Sequence, residues 1–289
     1  MAGMGTVTTF EWRGRRRGED VAVAGPRAMT RVAKWAGVAA AGVLAGATLA
    51  HAADSSAYAQ LLAAHVKPGT INGIRLNVVD YRAIGRDSNY AKSLQEIATA
   101  RPEQLRSQEE RLVFWINAYN LLAIKAVLDQ YPAKSIKDGG SLFQSIWKKK
   151  VGTVAGMEYA LDDIENGILR KDFREPRIHF AIVCASLSCP DLRAEPYTAD
   201  RLDAQLDEAA RAFLANPAKG SVPGPDGKTA KVSSIFKWFG DDFGVVGGVS
   251  KFILTKADPG GAARIAGLTD AGLSYLEYDW SLNDDARFR

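Results

Sequence analysis

Residues 112–128 constrain the fold more than any other part of this chain. They are apolar at nearly every position, follow the capping-box spacing Ser107-Gln108-Glu109-Glu110, and end before Tyr131-Pro132. A helix apolar on all sides has no face to give to water, so other elements must wrap it. The material for such a core is present. Of 289 residues, 47% are hydrophobic and 24% charged, which is ordinary globular composition and excludes disorder as the dominant state.

The segments around that helix are short and mixed. Residues 151–161 hold two strand-like runs about Ala155-Gly156, and Asp162, Asp163 and Glu165 then open a short helix. Residues 178–183 form a continuous apolar run with β-branched members, which predicts an inner strand leading into the cysteine segment. Leu202, Leu206, Ala209, Ala210, Phe213 and Leu214 share one stripe of an amphipathic helix over 198–215, which Pro217 ends. Residues 216–227 read as a loop with a hairpin-turn step at Asp226-Gly227. Beyond it, 229–234 reads as a strand, 249–255 as a helix and 273–278 as a last strand. Helices mixed with hairpins predict an α+β fold class: one domain with a central buried helix, short hairpins and that inner strand.

Compartment is read from the leader. Residues 29–52 have the pattern of a signal peptide: Arg31 and Lys34, an apolar run from Trp35 to Ala50, and an Ala50-His51-Ala52 cleavage site. The run is shorter than the ~20 residues that span a bilayer, so a permanent anchor is not expected. Residues 1–28, with Arg15-Arg16-Arg17, read as an upstream extension, Met29 as the true start, and 53–289 as the single domain. No later segment is read as membrane-spanning, and the expected location is periplasmic or secreted. Residues 1–52 carry seven basic and three acidic side chains, and the remainder carries equal numbers of each. A neutral body argues against nucleic acid as a partner.

Candidates for chemistry are few, because residues 53–289 contain only Cys184, Cys189, His65 and His179 of these types. A Cys184–Cys189 bridge would need the segment, ~16 Å long when extended, to fold into a tight turn. A disulfide, buried free thiols and a thiol with a chemical role all stay open. In a regular strand His179 and Cys184 would point to opposite faces, so a dyad requires the strand to end or bulge between them. The absence of Cys-x2-Cys spacing speaks against zinc, and no metal or cofactor is expected. A serine nucleophile at Ser186 or Ser188 lacks the G-x-S-x-G elbow and any later histidine. Asn117 and Asn120 lie on one face of the apolar helix beside Trp115 and Tyr119, either tying loops to it or lining a polar pocket. Glu165 and Arg170 are comparable candidates.

Three ordered blocks carry a resemblance: Phe114-Trp115-Ile116-Asn117-Ala118-Tyr119-Asn120, the run from Leu161 to Arg170, and the run from His179 to Pro190. They are similar to the hallmark segments of domain-of-unknown-function family 547, with further similarity at 197–213, 236–243 and 275–280. The resemblance implies an exported bacterial protein of unsettled activity. It also implies that the position of Cys184 is typically Cys, that plant versions admit Ser at Cys189, and that His commonly stands where this chain has Asn166. The expected function is a thiol-dependent hydrolase or acyl-transfer enzyme acting on a small-molecule or peptide substrate. Cys184 is the expected nucleophile, with His179 and Glu165 as catalytic partners and Asn117, Tyr119, Asn120, Arg170, Ser186 and Ser188 holding substrate. The competing expectation is a non-catalytic envelope binding module in which Cys184–Cys189 is a structural bridge.

Overall fold

A computed structural model describes residues 56–141 and 144–285. The upstream extension and the signal-peptide pattern lie outside the described residues. The chain opens with helix α1 (Ala57–His65) and the hairpin β1 (Val66–Ile71) and β2 (Ile74–Val79), then α2 (Tyr81–Ile84) and α3 (Ser88–Ala98). Next comes α4 (Gln108–Leu128), which begins in the expected capping box: Ser107 Oγ accepts from the Glu110 N–H, and Glu110 reaches back to the Ser107 N–H. By length and composition alone α4 is long and apolar enough to cross a membrane, a test that a buried core helix also passes. Its apolar side chains build the largest of three apolar clusters among the described residues: Ile116, Leu121, Leu122, Ile124 and Val127 are at most 1% exposed.

The hairpin β3 (Lys150–Val154) and β4 (Met157–Ala160) turns at Ala155-Gly156, where both residues have positive φ. It feeds α5 (Leu161–Ile164), a π-helical turn over Glu165–Leu169, and α6 (Arg170–Phe173). Helix α7 (Leu202–Leu214) starts later than its stripe suggests, because residues 198–201 form a turn. The Pro/Gly stretch is not only loop. It contains β5 (Ser221–Pro223), which pairs antiparallel with β6 (Ala230–Val232). Helices α8 (Ile235–Trp238), α9 (Val249–Lys256) and α10 (Pro259–Arg264) follow, and β7 (Leu273–Tyr275) adds to β6 in parallel. Small sheets among many helices make this an α+β fold.

One expectation is overturned. Residues 178–183 are not a strand: Pro176–Phe180 is a 3-10 turn with Pro176 in its first turn, and an irregular segment continues to Cys184. The run is apolar throughout because it threads between two cores. Ile178, Ala181, Ile182 and Val183 pack in the α4 cluster, while Phe180 enters a second, aromatic cluster with Phe213, Phe236, Phe243 and Phe252. Burial on both sides gives the same composition as an inner strand, and periodicity cannot separate the two.

Candidate functional site

Where the two clusters meet, a cleft of about 180 Å³ opens. Cys184, His179, Glu165, Tyr119, Trp238 and Trp280 are among the residues on its walls. The last three residues of the threading segment are positioned by α4. Asn120, 2% exposed, donates from Nδ2 to the Ala181 carbonyl (2.9 Å) and accepts the Val183 N–H on Oδ1 (3.0 Å). This side chain replaces the ladder bonds that a strand would have supplied. Asn117 does the same for a neighbouring loop, donating to the Tyr197 carbonyl (2.9 Å) and accepting its N–H (3.0 Å). Neither amide lies on the cleft wall. Both tie backbone to the helix.

Cys184 follows directly and is half-buried. The chain then turns sharply. Ala185 has φ 58°, the left-handed region that costs a residue with a Cβ about 1 kcal/mol, and the Cys189 N–H closes on the Ser186 carbonyl at 3.1 Å. This is the tight turn a close approach of the two sulfurs requires, and both thiols are free. Cys184 Sγ lies 3.3 Å from Ser186 Oγ and 3.2 Å from the Tyr278 hydroxyl. Burial alone pushes this thiol up, but hydrogen bonds from Cys189, Ser186 and Tyr278 outweigh it and hold the thiol below its ordinary value. Lys137, stacked 3.6 Å over the Trp280 ring, adds a cation whose charge interacts with Cys184. Cys189 is pushed well up, by burial first and then by the neighbouring Cys184 sulfur.

His179 shares the cleft with Cys184, although the two make no direct hydrogen bond among the described contacts. Its ring stacks on Phe239 with centroids 4.2 Å apart, and Nε2 lies 2.7 Å from Asp242 Oδ2. Arg170 grips the same carboxylate with Nε (2.6 Å) and Nη2 (2.8 Å). Burial pushes Asp242 up, yet the bonds from His179 and Arg170 prevail and hold it far below the usual carboxylate range. An ionised carboxylate only accepts, so Nε2 carries the proton. Burial, opposed by Asp242, lowers the imidazole below its ordinary value. It is neutral at pH 7, which leaves Nδ1 as an acceptor.

Glu165 sits on the π-helical turn, a local distortion often found at functional sites. It is 7% exposed and accepts the Tyr119 hydroxyl at 3.0 Å. Burial pushes its carboxyl up to about 7, against the pull of the Tyr119 bond and the Arg170 charge. Of the candidates read from the sequence, Cys184, His179, Glu165 and Tyr119 share the cleft wall, and Ser186 supports the sulfur. Arg170 acts through Asp242. Ser188 is not among the cleft-wall residues and accepts the Asp279 N–H at 2.9 Å.

Residues 102–214 match the model of the family described as a protein of unknown function, DUF547. Over that stretch, 113 of the 289 residues, the chain is similar to that family. No curated protein and no solved structure matches the chain. The DUF547 segment supplies Tyr119, Glu165, His179, Cys184 and Cys189, but it does not supply the whole site. Asp242, Tyr278, Trp238 and Trp280 all come from beyond it. Sequence reasoning missed these as functional residues. The only signal they gave was membership in the later blocks of the family resemblance, since contacts across 63 and 94 residues leave no local pattern.

Proposed function

We propose that this protein is an exported thiol-dependent enzyme of the hydrolase or acyl-transfer type. The observation that carries the reading is the donor shell around Cys184 Sγ on a cleft wall shared with His179 and Glu165. Two titratable groups with pKa values pushed in opposite directions suit the chemistry: a thiol moved down from its ordinary value and a carboxyl moved up to about 7. The Cys184 thiolate attacks the acyl carbon of a small-molecule or peptide substrate, and the leaving group takes the Glu165 proton. Water then releases the acyl group with its proton passing to Glu165 or to Nδ1 of His179, whose ring Asp242 and Phe239 hold in place. The signal-peptide pattern of residues 29–52 supports a periplasmic or secreted location.

Alkylation by iodoacetamide across a pH series tests the nucleophile. Cys184 is expected to react with an apparent pKa below the ~8.5 of free cysteine, and Cys184→Ser is expected to leave the native protein unlabelled. Reaction no faster than an ordinary thiol at every pH would sink the proposal. One observation favours the non-catalytic alternative: Trp147, Trp238, Tyr278 and Trp280 pack into one aromatic wall, with Trp238 45% exposed, as a binding surface would require. In that case ligand affinity is indifferent to Cys184→Ser and no turnover accompanies it.

A further inference from the structure

The acyl chemistry has no use for Cys189, yet the fold places it directly behind the nucleophile. Cys189 is 3% exposed, whereas Cys184 is half-buried at the cleft. The Cys184 N–H donates to Cys189 Sγ at 2.7 Å, and the two thiols are hydrogen-bonded to each other. The turn through Ala185 and the Cys189-to-Ser186 backbone bond holds them there. Behind Cys189 lies Lys219, whose side chain is 1% exposed and whose ammonium donates to the Cys189 carbonyl at 3.0 Å and pairs with Asp191. Thiol–disulfide exchange needs an accessible thiolate with a second thiol within reach of it, and this pair has that geometry.

We propose that Cys184 and Cys189 form a redox-active dithiol that reduces a disulfide substrate, with Cys184 attacking and Cys189 resolving. The proposal rests on the same nucleophilic Cys184 as the acyl-transfer reading and adds an activity that reading does not require. In the first step Cys184 S⁻ bonds to one sulfur of R–S–S–R, the substrate S–S bond breaks, and RS⁻ leaves to take a proton from water. In the second, Cys189 gives its proton to water and bonds to Cys184 Sγ, and the second RS⁻ departs. The protein dithiol loses two electrons, and the substrate gains them as two thiols.

The electrostatics order these steps. Burial, and while Cys184 is a thiolate its hydrogen bond and its charge, keep the Cys189 proton in place. Forming the mixed disulfide removes that charge. The Cys184 N–H and the Lys219 cation, both of which favour the Cys189 thiolate, then have only burial to oppose them. Cys189 is therefore released to attack only after Cys184 has reacted.

The full chain, reduced and then exposed to oxidised glutathione, is acid-quenched, alkylated and weighed intact. The wild type is expected to lose two hydrogens, to keep no glutathione and to recover both thiols with reductant. Cys189→Ser is expected to stop at one glutathione on Cys184, and Cys184→Ser to take up none. A wild type that retains glutathione on Cys184 with Cys189 still alkylatable overturns the resolving role and leaves the nucleophile standing. The same holds for a wild type that ignores glutathione while iodoacetamide labels Cys184. Failure of both reagents at Cys184 overturns this proposal and the acyl-transfer reading together.

Discussion

Glu165→Gln is expected to make the protein more stable above neutral pH while removing the acid–base role proposed for it. The Glu165 carboxyl is raised to about 7 because burial disfavours its charge. Between its unfolded value near ~4.3 and that raised value the native state holds more protons than the unfolded state, so stability falls as pH rises through this window. The full loss is present above about pH 7. A shift of this size corresponds to roughly 3 kcal/mol at 1.36 kcal/mol per pKa unit. Glutamine keeps an acceptor for the Tyr119 hydroxyl and has no charge to desolvate. Denaturant unfolding of both proteins at about pH 4.5 and about pH 8 should therefore show the variant gaining up to roughly 3 kcal/mol at the higher pH and little at the lower. Loss of the positioned proton donor should lower turnover by about 10² to 10⁴. Parallel pH–stability curves for the two proteins would show that Glu165 ionises normally and is not the acid.

Asn120→Ala carries the second large effect, and it links folding to reactivity. The substitution leaves the Ala181 carbonyl and the Val183 N–H buried without partners. Each orphaned group costs about 1 to 3 kcal/mol, so a total loss of roughly 2 to 6 kcal/mol is expected in urea unfolding. The consequence extends to Cys184, because these two backbone groups set where the thiol enters its donor shell of Ser186 and Tyr278. The apparent pKa of Cys184 alkylation should therefore move up toward that of free cysteine in the folded variant. Asn117→Ala is the control: it frees the Tyr197 backbone elsewhere and should cost stability with no change in the alkylation profile. Equal effects of the two variants on Cys184 would refute the positioning role of Asn120.

Local information made much of the fold legible. The Ser107-to-Glu110 cap and the apolar run after it marked α4, and the Ala155-Gly156 turn marked the β3–β4 hairpin, because capping and turn chemistry act over a few residues. The segment 178–183 was misread for the complementary reason. Its apolar content records only that both sides are buried, and tertiary contacts decide whether a β-partner or an asparagine amide satisfies its backbone.

The site divides along the same line. Scarcity narrowed the choice to Cys184, Cys189, His65 and His179, and the family resemblance, which implies Cys at position 184 and admits Ser at 189, gave Cys184 its weight. Glu165 and Tyr119 followed from polar groups set in apolar surroundings. Whether these side chains would meet, and in what ionisation state, was decided by the packing of the aromatic cluster against the α4 cluster. That packing brings Asp242 to His179 and Tyr278 to Cys184, and it closes the turn that sets Cys189 behind the thiol. A pKa depends on burial and on donors a few ångströms away, and residues distant in sequence become such donors only when the chain has folded.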